Sequence, residues 1–161
     1  MGAGFLSAPN VEGLPINKPP YGVISAINLD RGEIIWQVPH GDTPDQIRNH
    51  PALKGLNIPR TGQQTSVGTL VTKTLVVAGE PAITTAGHPR GPLLRAYDKA
   101  TGKDAGTVLM EAPQTGSPMT YMWRGKQYIV VAISGPNVPG QYVAFALPDP
   151  STRRGPTGAQ Q

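Results

Sequence analysis

Hydrophobic positions in this chain fall in short runs, many of them β-branched, separated by polar or Gly-rich breaks. No segment keeps an i, i+3, i+4, i+7 apolar spacing over three turns, so strands are expected and helices should be nearly absent. Leu70-Val71-Thr72 and Leu75-Val76-Val77-Ala78 flank Lys73-Thr74 in a hairpin pattern. Leu93 to Asp98 reads as a third strand and Thr107 to Met110 as a fourth. Between them Ala100-Thr101-Gly102-Lys103 reads as a tight turn, where Gly accepts the positive φ of a reversal. The cycle then restarts. Pro118-Met119-Thr120-Tyr121 and Tyr128 to Ile133 flank Arg124-Gly125, and Val143 to Leu147 follows.

The cycle is an internal repeat. Ala26-Ile27-Asn28-Leu29-Asp30-Arg31-Gly32-Glu33 matches Ala96-Tyr97-Asp98-Lys99-Ala100-Thr101-Gly102-Lys103 at an offset of 70 residues, and Val143-Ala144-Phe145-Ala146-Leu147 is a truncated third copy 48 residues further on. The difference, 22 residues, is the length of the Pro-, His- and Asp-bearing stretch from Pro39 to Arg60, which therefore reads as an insertion. Four antiparallel strands per repeat of about 40–50 residues is the pattern of a β-propeller blade. The fold class is all-β: half a blade, one full blade and most of another within residues 21–148, with an inserted loop at 39–60. Residues 1–20 are expected to be irregular, and the tail 149–161 to be disordered. Two and a half blades do not close a ring that usually takes about four to eight, so the chain is expected to be a piece of a larger propeller.

Composition narrows the function classes. Only 15% of the 161 residues are charged, too few to solvate the outer faces of a helical bundle or coiled coil. The net charge of +4 comes from scattered basic residues without interleaved aromatics, so no nucleic-acid partner is expected. Without cysteine there is no disulfide framework and no thiolate-bound metal. No apolar run approaches the roughly 20 residues of a membrane helix. The first residues lack the basic and apolar regions of a signal peptide, and Leu6 stands where myristoylation calls for Ser or Thr.

Ala26-Ile27-Asn28-Leu29-Asp30-Arg31-Gly32-Glu33-Ile34-Ile35-Trp36 resembles the tryptophan-docking repeat of quinoprotein dehydrogenases, AxDxxTGxxxW. Lys18-Pro19-Pro20-Tyr21-Gly22, Trp36-Gln37-Val38-Pro39, Leu94-Arg95-Ala96-Tyr97-Asp98, Pro118-Met119-Thr120-Tyr121, Gly125-Lys126-Gln127-Tyr128 and Ala144-Phe145-Ala146-Leu147-Pro148 extend the likeness in order. Together they resemble the C-terminal part of pyrroloquinoline-quinone (PQQ)-dependent dehydrogenases of the glucose dehydrogenase type. The resemblance implies an eight-bladed propeller in which Trp36 packs between neighbouring blades. It implies an enzyme that oxidises an aldose or alcohol with PQQ and passes electrons to a quinone or cytochrome acceptor, in the periplasm or cell envelope. It also implies that the calcium ligands and the catalytic base lie on earlier blades, so this chain has no catalytic or metal residue to assign. The remaining blades of the parent propeller are the implied partner, and an isolated chain is expected to be inactive. At the Trp position of the second copy stands Gly106, so Tyr97, Phe145 and aliphatic packing are expected to hold those blades. A non-catalytic propeller scaffold of the cell envelope shares the blade repeat and is the alternative.

In a propeller the first strand of each blade lines the central channel. The lead-ins to those strands are Gly62-Gln63-Gln64-Thr65-Ser66 and Gln114-Thr115-Gly116-Ser117. Gln64, Thr65, Ser66, Thr115 and Ser117 are therefore the candidate cofactor-binding residues. Their amide and hydroxyls suit the carboxylates and carbonyls of a quinone without adding charge, and the competing reading is that they merely satisfy strand-end backbone groups. His40, His50 and His88 fall in loops without a second ligand at strand or helix spacing, so exposed loop histidines are expected. Asp42 and Asp45 read as a solvated turn. For His50 two roles stay open, loop packing and a part in substrate or acceptor access. Trp123, at a hairpin tip, is expected at the surface.

Overall fold

The computed structural model describes residues 9–81 and 91–148. Its strands run in chain order as β1 (Asn10–Val11), β2 (Leu14–Pro15), β3 (Val23–Asn28), β4 (Glu33–Pro39), β5 (Leu70–Val71), β6 (Leu75–Gly79), β7 (Leu93–Asp98), β8 (Asp104–Leu109), β9 (Met119–Trp123), β10 (Lys126–Gly135) and β11 (Val138–Ala146). One helical turn, α1 (Asp45–Arg48), and a 3₁₀ turn at Pro51–Leu53 lie in the insertion. All pairing is antiparallel, in sheets ordered β5-β6-β7-β8, β9-β10-β11, β3-β4 and β1-β2. The first three are one whole propeller blade, the first three strands of the next blade, and the last two strands of the preceding one. The small β1-β2 hairpin is a correction to the irregular segment expected there. His88 and the tail 149–161 lie outside the described residues.

The register proves the repeat. Ala26 faces Trp36 in the β3-β4 pair as Ala96 faces Gly106 in the β7-β8 pair, and each pair carries an irregularity at the same place, after Ala26 and after Ala96. The turns match too. Asn28 Oδ1 accepts from the amides of Asp30 and Arg31, as Asp98 Oδ1 does from those of Ala100 and Thr101. An Asn or Asp at that position closes the turn through its own side chain, which is why the repeat keeps this residue type while its neighbours vary.

The middle blade is covered on both sides. Its β6 strand is buried on both faces, as the uninterrupted run Leu75-Val76-Val77-Ala78 requires and as an alternating half-exposed strand would not. Toward the following blade, Val77, Leu94, Met110 and Ala112 meet Val131 and Ile133, with Ile129, Val143 and Phe145 around them. On the other side stand the half-blade and the insertion. The far faces are open: Tyr142 on β11 is 81% exposed and Leu29 beyond β3 is 89% exposed.

Trp36 joins the half-blade to the middle blade. Its indole N–H donates to the Lys99 carbonyl at 3.0 Å, and the ring lies against Gly102. A Cβ on Gly102 would stand 2.7 Å from the ring, and its φ is +72°, so only glycine both makes this turn and admits the tryptophan. At the next junction Gly106 has nothing among the described residues within 4 Å of where its Cβ would be, and the aliphatic core just described does the joining.

Candidate functional site

The insertion and the lead-ins gather at one end of the blades because both connect the outer strand of one blade to the inner strand of the next. After β4, residues 40–60 return the chain to the lead-in at 61–69, which is strapped into place by backbone bonds. Tyr21 N–H donates to the Thr61 carbonyl at 2.7 Å, His40 N–H to Gly22 O at 2.9 Å and Gln63 N–H to His40 O at 2.7 Å. The second lead-in continues the β9 side of its sheet, with Thr115 N–H donating to Ala132 O at 2.9 Å.

These two lead-ins lie side by side. Gln114 Nε2 donates to Gly68 O at 2.8 Å, and a Cβ on Gly68 would overlap Ser117. Gln64, Ser66, Thr115 and Ser117 are exposed and Thr65 is half-buried. None of the five side chains hydrogen-bonds to a described residue. Strand-end satisfaction, the competing reading, falls instead to Gln114, which is 5% exposed and whose amide is fully engaged. One residue before Gln64, Gln63 Oε1 is buried without a hydrogen bond. Together the lead-ins offer one amide, four hydroxyls and no charge. That donor set fits a ligand rich in carboxylates and carbonyls, such as PQQ. Among the described residues no three His, Cys, Asp or Glu side chains group as metal ligands.

Behind the first lead-in lies a buried polar network that the sequence did not announce. His40 is 3% exposed, a correction to its reading as an exposed loop histidine. Pro39 ends β4 and His40 turns inward against the middle blade, with Nδ1 2.8 Å from the Tyr97 hydroxyl and Nε2 2.9 Å from Gly79 O. A carbonyl only accepts, so Nε2 carries the proton and Nδ1 accepts from Tyr97. Burial lowers the His40 pKa and raises that of Tyr97 to about 12. Both groups are therefore neutral near pH 7, the state the bonds demand. Tyr97 thus serves the junction with the half-blade, not the following junction that the absence of a second tryptophan had suggested.

Beside it Arg95 pairs with Glu80, their side chains 7% and 4% exposed. Arg95 also bonds Asp104 at 2.9 Å and approaches Asp42 at 3.6 Å. Arg60, from the end of the insertion, reaches Asp104 at 2.5 Å and the Pro39 carbonyl at 2.9 Å. Burial alone would raise the Asp104 pKa, but the bonds and charges of Arg60 and Arg95 outweigh it and hold the carboxyl below its ordinary value. The aspartates of the insertion are not a solvated turn: Asp42 faces Arg95, and Asp45 is 3% exposed. His50 caps the 3₁₀ turn, its Nδ1 accepting from Ala52 N–H at 3.2 Å and its Nε2 lying 2.9 Å from Glu12 O, so both ring nitrogens serve loop packing. Trp123 is 53% exposed with the Arg124 guanidinium 4.4 Å over its ring.

Comparison with known proteins agrees with this architecture. The profile of the PQQ glucose/ethanol/alcohol dehydrogenase β-propeller domain matches residues 4–129. The chain is 36% identical over 157 residues to a probable quinate dehydrogenase (quinone) of Xanthomonas campestris pv. juglandis, covering 90% of this chain and 18% of that protein. It is 33% identical over 143 residues to the glycerol dehydrogenase large subunit of Gluconobacter thailandicus, covering 85% and 18%. With quinoprotein glucose dehydrogenase A of Acinetobacter calcoaceticus it shares 30% over 142 residues, covering 85% and 16%. The chain thus spans less than a fifth of the length of these relatives. Blades, docking tryptophan and sequence profile point the same way: the chain belongs to the PQQ-dependent glucose, ethanol and alcohol dehydrogenase family, within its β-propeller domain.

Proposed function

We propose that this chain supplies late blades of an eight-bladed, PQQ-dependent dehydrogenase that oxidises a hydroxyl group of a polyhydroxylated substrate, a glucose-like aldose or an alcohol. In this reading it works in the periplasm or cell envelope and passes electrons to a quinone or cytochrome acceptor. The relatives are named for quinate, glycerol and glucose, compounds that share adjacent hydroxyl-bearing carbons, and the name of the Xanthomonas relative specifies a quinone. The observation that carries the reading is the pair of neighbouring lead-ins, whose Gln64, Thr65, Ser66, Thr115 and Ser117 side chains have no hydrogen-bond partner among the described residues.

When bound, PQQ supplies the redox chemistry. The part of this chain is to bind and orient it. The hydroxyls of Thr65, Ser66, Thr115 and Ser117 and the Gln64 amide would hold it as hydrogen-bond donors, and the Arg95-Glu80 and His40-Tyr97 pairs hold the lead-in behind them. Calcium and the catalytic base belong, in this proposal, to the remaining blades of the parent ring.

The test combines binding and turnover. Purified chain is mixed with PQQ and calcium, PQQ binding is followed by absorbance, and dye reduction is followed with glucose, glycerol and quinate in turn. Weak saturable binding without turnover is expected. Turnover at the rate of a complete enzyme would contradict the division of labour, and the absence of binding would favour a scaffold without cofactor.

A further inference from the structure

We propose that Gln114 is the positioning residue that sets the two lead-ins at the spacing a bound cofactor requires, an inference that rests on the cofactor reading above. The side chain spans three segments. Its Oε1 accepts the Gly79 N–H at 2.7 Å, and its Nε2 donates to Gly68 O at 2.8 Å and to Gly116 O at 2.7 Å. Both amide hydrogens and the amide oxygen are thereby committed in a position that is 5% exposed.

Its surroundings are shaped to admit it. A Cβ on Gly79 would stand 2.5 Å from the Gln114 Cβ and 2.7 Å from Oε1, and a Cβ on Gly68 would overlap Ser117. Gly79, at the end of β6, thus opens the room that the amide fills, and Gly68 opens the room that Ser117 fills beside it. Among the described residues, the bond from Gln114 to Gly68 is the one hydrogen bond that joins the two lead-ins. Their strands β5 and β9 belong to different sheets, so no ladder fixes their separation. Gly68 lies two residues past Ser66, while Thr115 and Ser117 follow Gln114 by one and three. A shift at the clasp therefore moves the candidate contacts of one blade relative to those of the other.

The clasp is also tied to the opposite junction. Gly79 gives its N–H to Gln114 and receives the His40 Nε2–H on its carbonyl. A single residue at the end of β6, through the peptide groups on its two sides, thus ends one hydrogen-bonded chain from the half-blade and begins another to the following blade. The chemistry selects a neutral amide. Glutamate would set lone pairs against the Gly68 and Gly116 carbonyls, and methionine would leave all three backbone groups unpaired.

The test uses the full chain as wild type, Gln114→Glu, Gln114→Met and Thr115→Val. PQQ affinity is read by absorbance and amide hydrogen exchange by mass spectrometry. Both Gln114 variants are expected to lose affinity about tenfold, the scale of one net hydrogen bond, with faster exchange at residues 62–70 and 113–118 and unchanged exchange in β7. Exchange at Gly79 should stay slow in Gln114→Glu, which keeps an acceptor, and quicken in Gln114→Met. Thr115→Val should lose affinity with no change in exchange, because it removes a contact and leaves the spacing intact. Wild-type affinity in both Gln114 variants would overturn the inference and leave the cofactor reading standing. So would a loss of affinity accompanied by equally faster exchange in β7, which marks a structural role alone. A wild-type chain that binds no PQQ would overturn the cofactor reading and the positioning role with it.

Discussion

Trp36 packs against Gly102 across a blade junction: the indole of one repeat occupies the space that any side chain at the turn of the next would need. The residues are 66 positions apart, and the indole N–H on the Lys99 carbonyl fixes the ring's direction. The relation is the docking expected from the repeat, with glycine as the obligatory partner.

Trp36→Ala should therefore cost about 3 kcal/mol, toward the low end for aromatic truncations because the side chain is half-buried. Gly102→Ala should cost more than about 1 kcal/mol through strain at positive φ and the clash with the indole. Urea unfolding of each variant checks both, and a loss below about 0.5 kcal/mol for Trp36→Ala would place the ring outside the junction.

Arg95→Met should destabilise the chain by about 3–5 kcal/mol, since it strands the buried Glu80 carboxylate. Arg95→Met combined with Glu80→Leu should recover much of that loss, because the penalty lies in the unpaired charge. Denaturant midpoints of the single and double variants decide it. A double variant as unstable as the single one would show that Asp104 and Asp42, and not Glu80, are the partners that matter.

The pH dependence follows from His40. Its folded pKa lies below the ordinary 6.5, so the neutral ring contributes stability that is fully present above about pH 6.5 and is lost as pH falls toward the folded value. Protonation puts a second hydrogen on Nδ1, facing the hydroxyl hydrogen of Tyr97, in a pocket that also holds Arg95, Arg60 and Glu80. Wild-type stability should fall between pH 6.5 and 5 more steeply than that of His40→Gln. Parallel curves from thermal unfolding would contradict the assignment.

Much of the fold was legible because blade strands are local: a run such as Leu75 to Ala78 and a turn closed by Asp98 declare themselves within ten residues. The site was legible only in outline. Lead-in positions follow from strand order, so Gln64 to Ser66 and Thr115 to Ser117 could be named. The side chains behind them could not. His40 meets Tyr97 57 positions away and Gly79 39 positions away, and a histidine after a strand-ending proline looks like any loop histidine. Nothing in the strand Leu93 to Asp98 likewise points Arg95 to Glu80, 15 positions earlier, before the two are placed against one another.

The open faces give a further expectation. Tyr142, Met122 and Trp123 on the last sheet and Leu29, Ile34 and Ile35 at the half-blade are more than half exposed, and β3 and β11 each present an unpaired edge among the described residues. Such edges template further pairing. The isolated chain should self-associate at micromolar concentration, seen as a concentration-dependent sedimentation coefficient and thermal midpoint. A monodisperse monomer with a concentration-independent transition would contradict the view that these faces are junctions.

The central claim, that the neighbouring lead-ins face the cofactor, is tested most directly by the PQQ binding isotherm of the chain carrying Thr115→Val and Ser117→Ala together with Gln64→Ala. All three side chains are exposed and have no hydrogen-bond partner among the described residues, so the thermal midpoint should stay at the wild-type value. The account predicts that saturable PQQ binding seen with the wild type drops at least about tenfold, as the loss of more than one net hydrogen bond requires. An isotherm that superimposes on that of the wild type would contradict it.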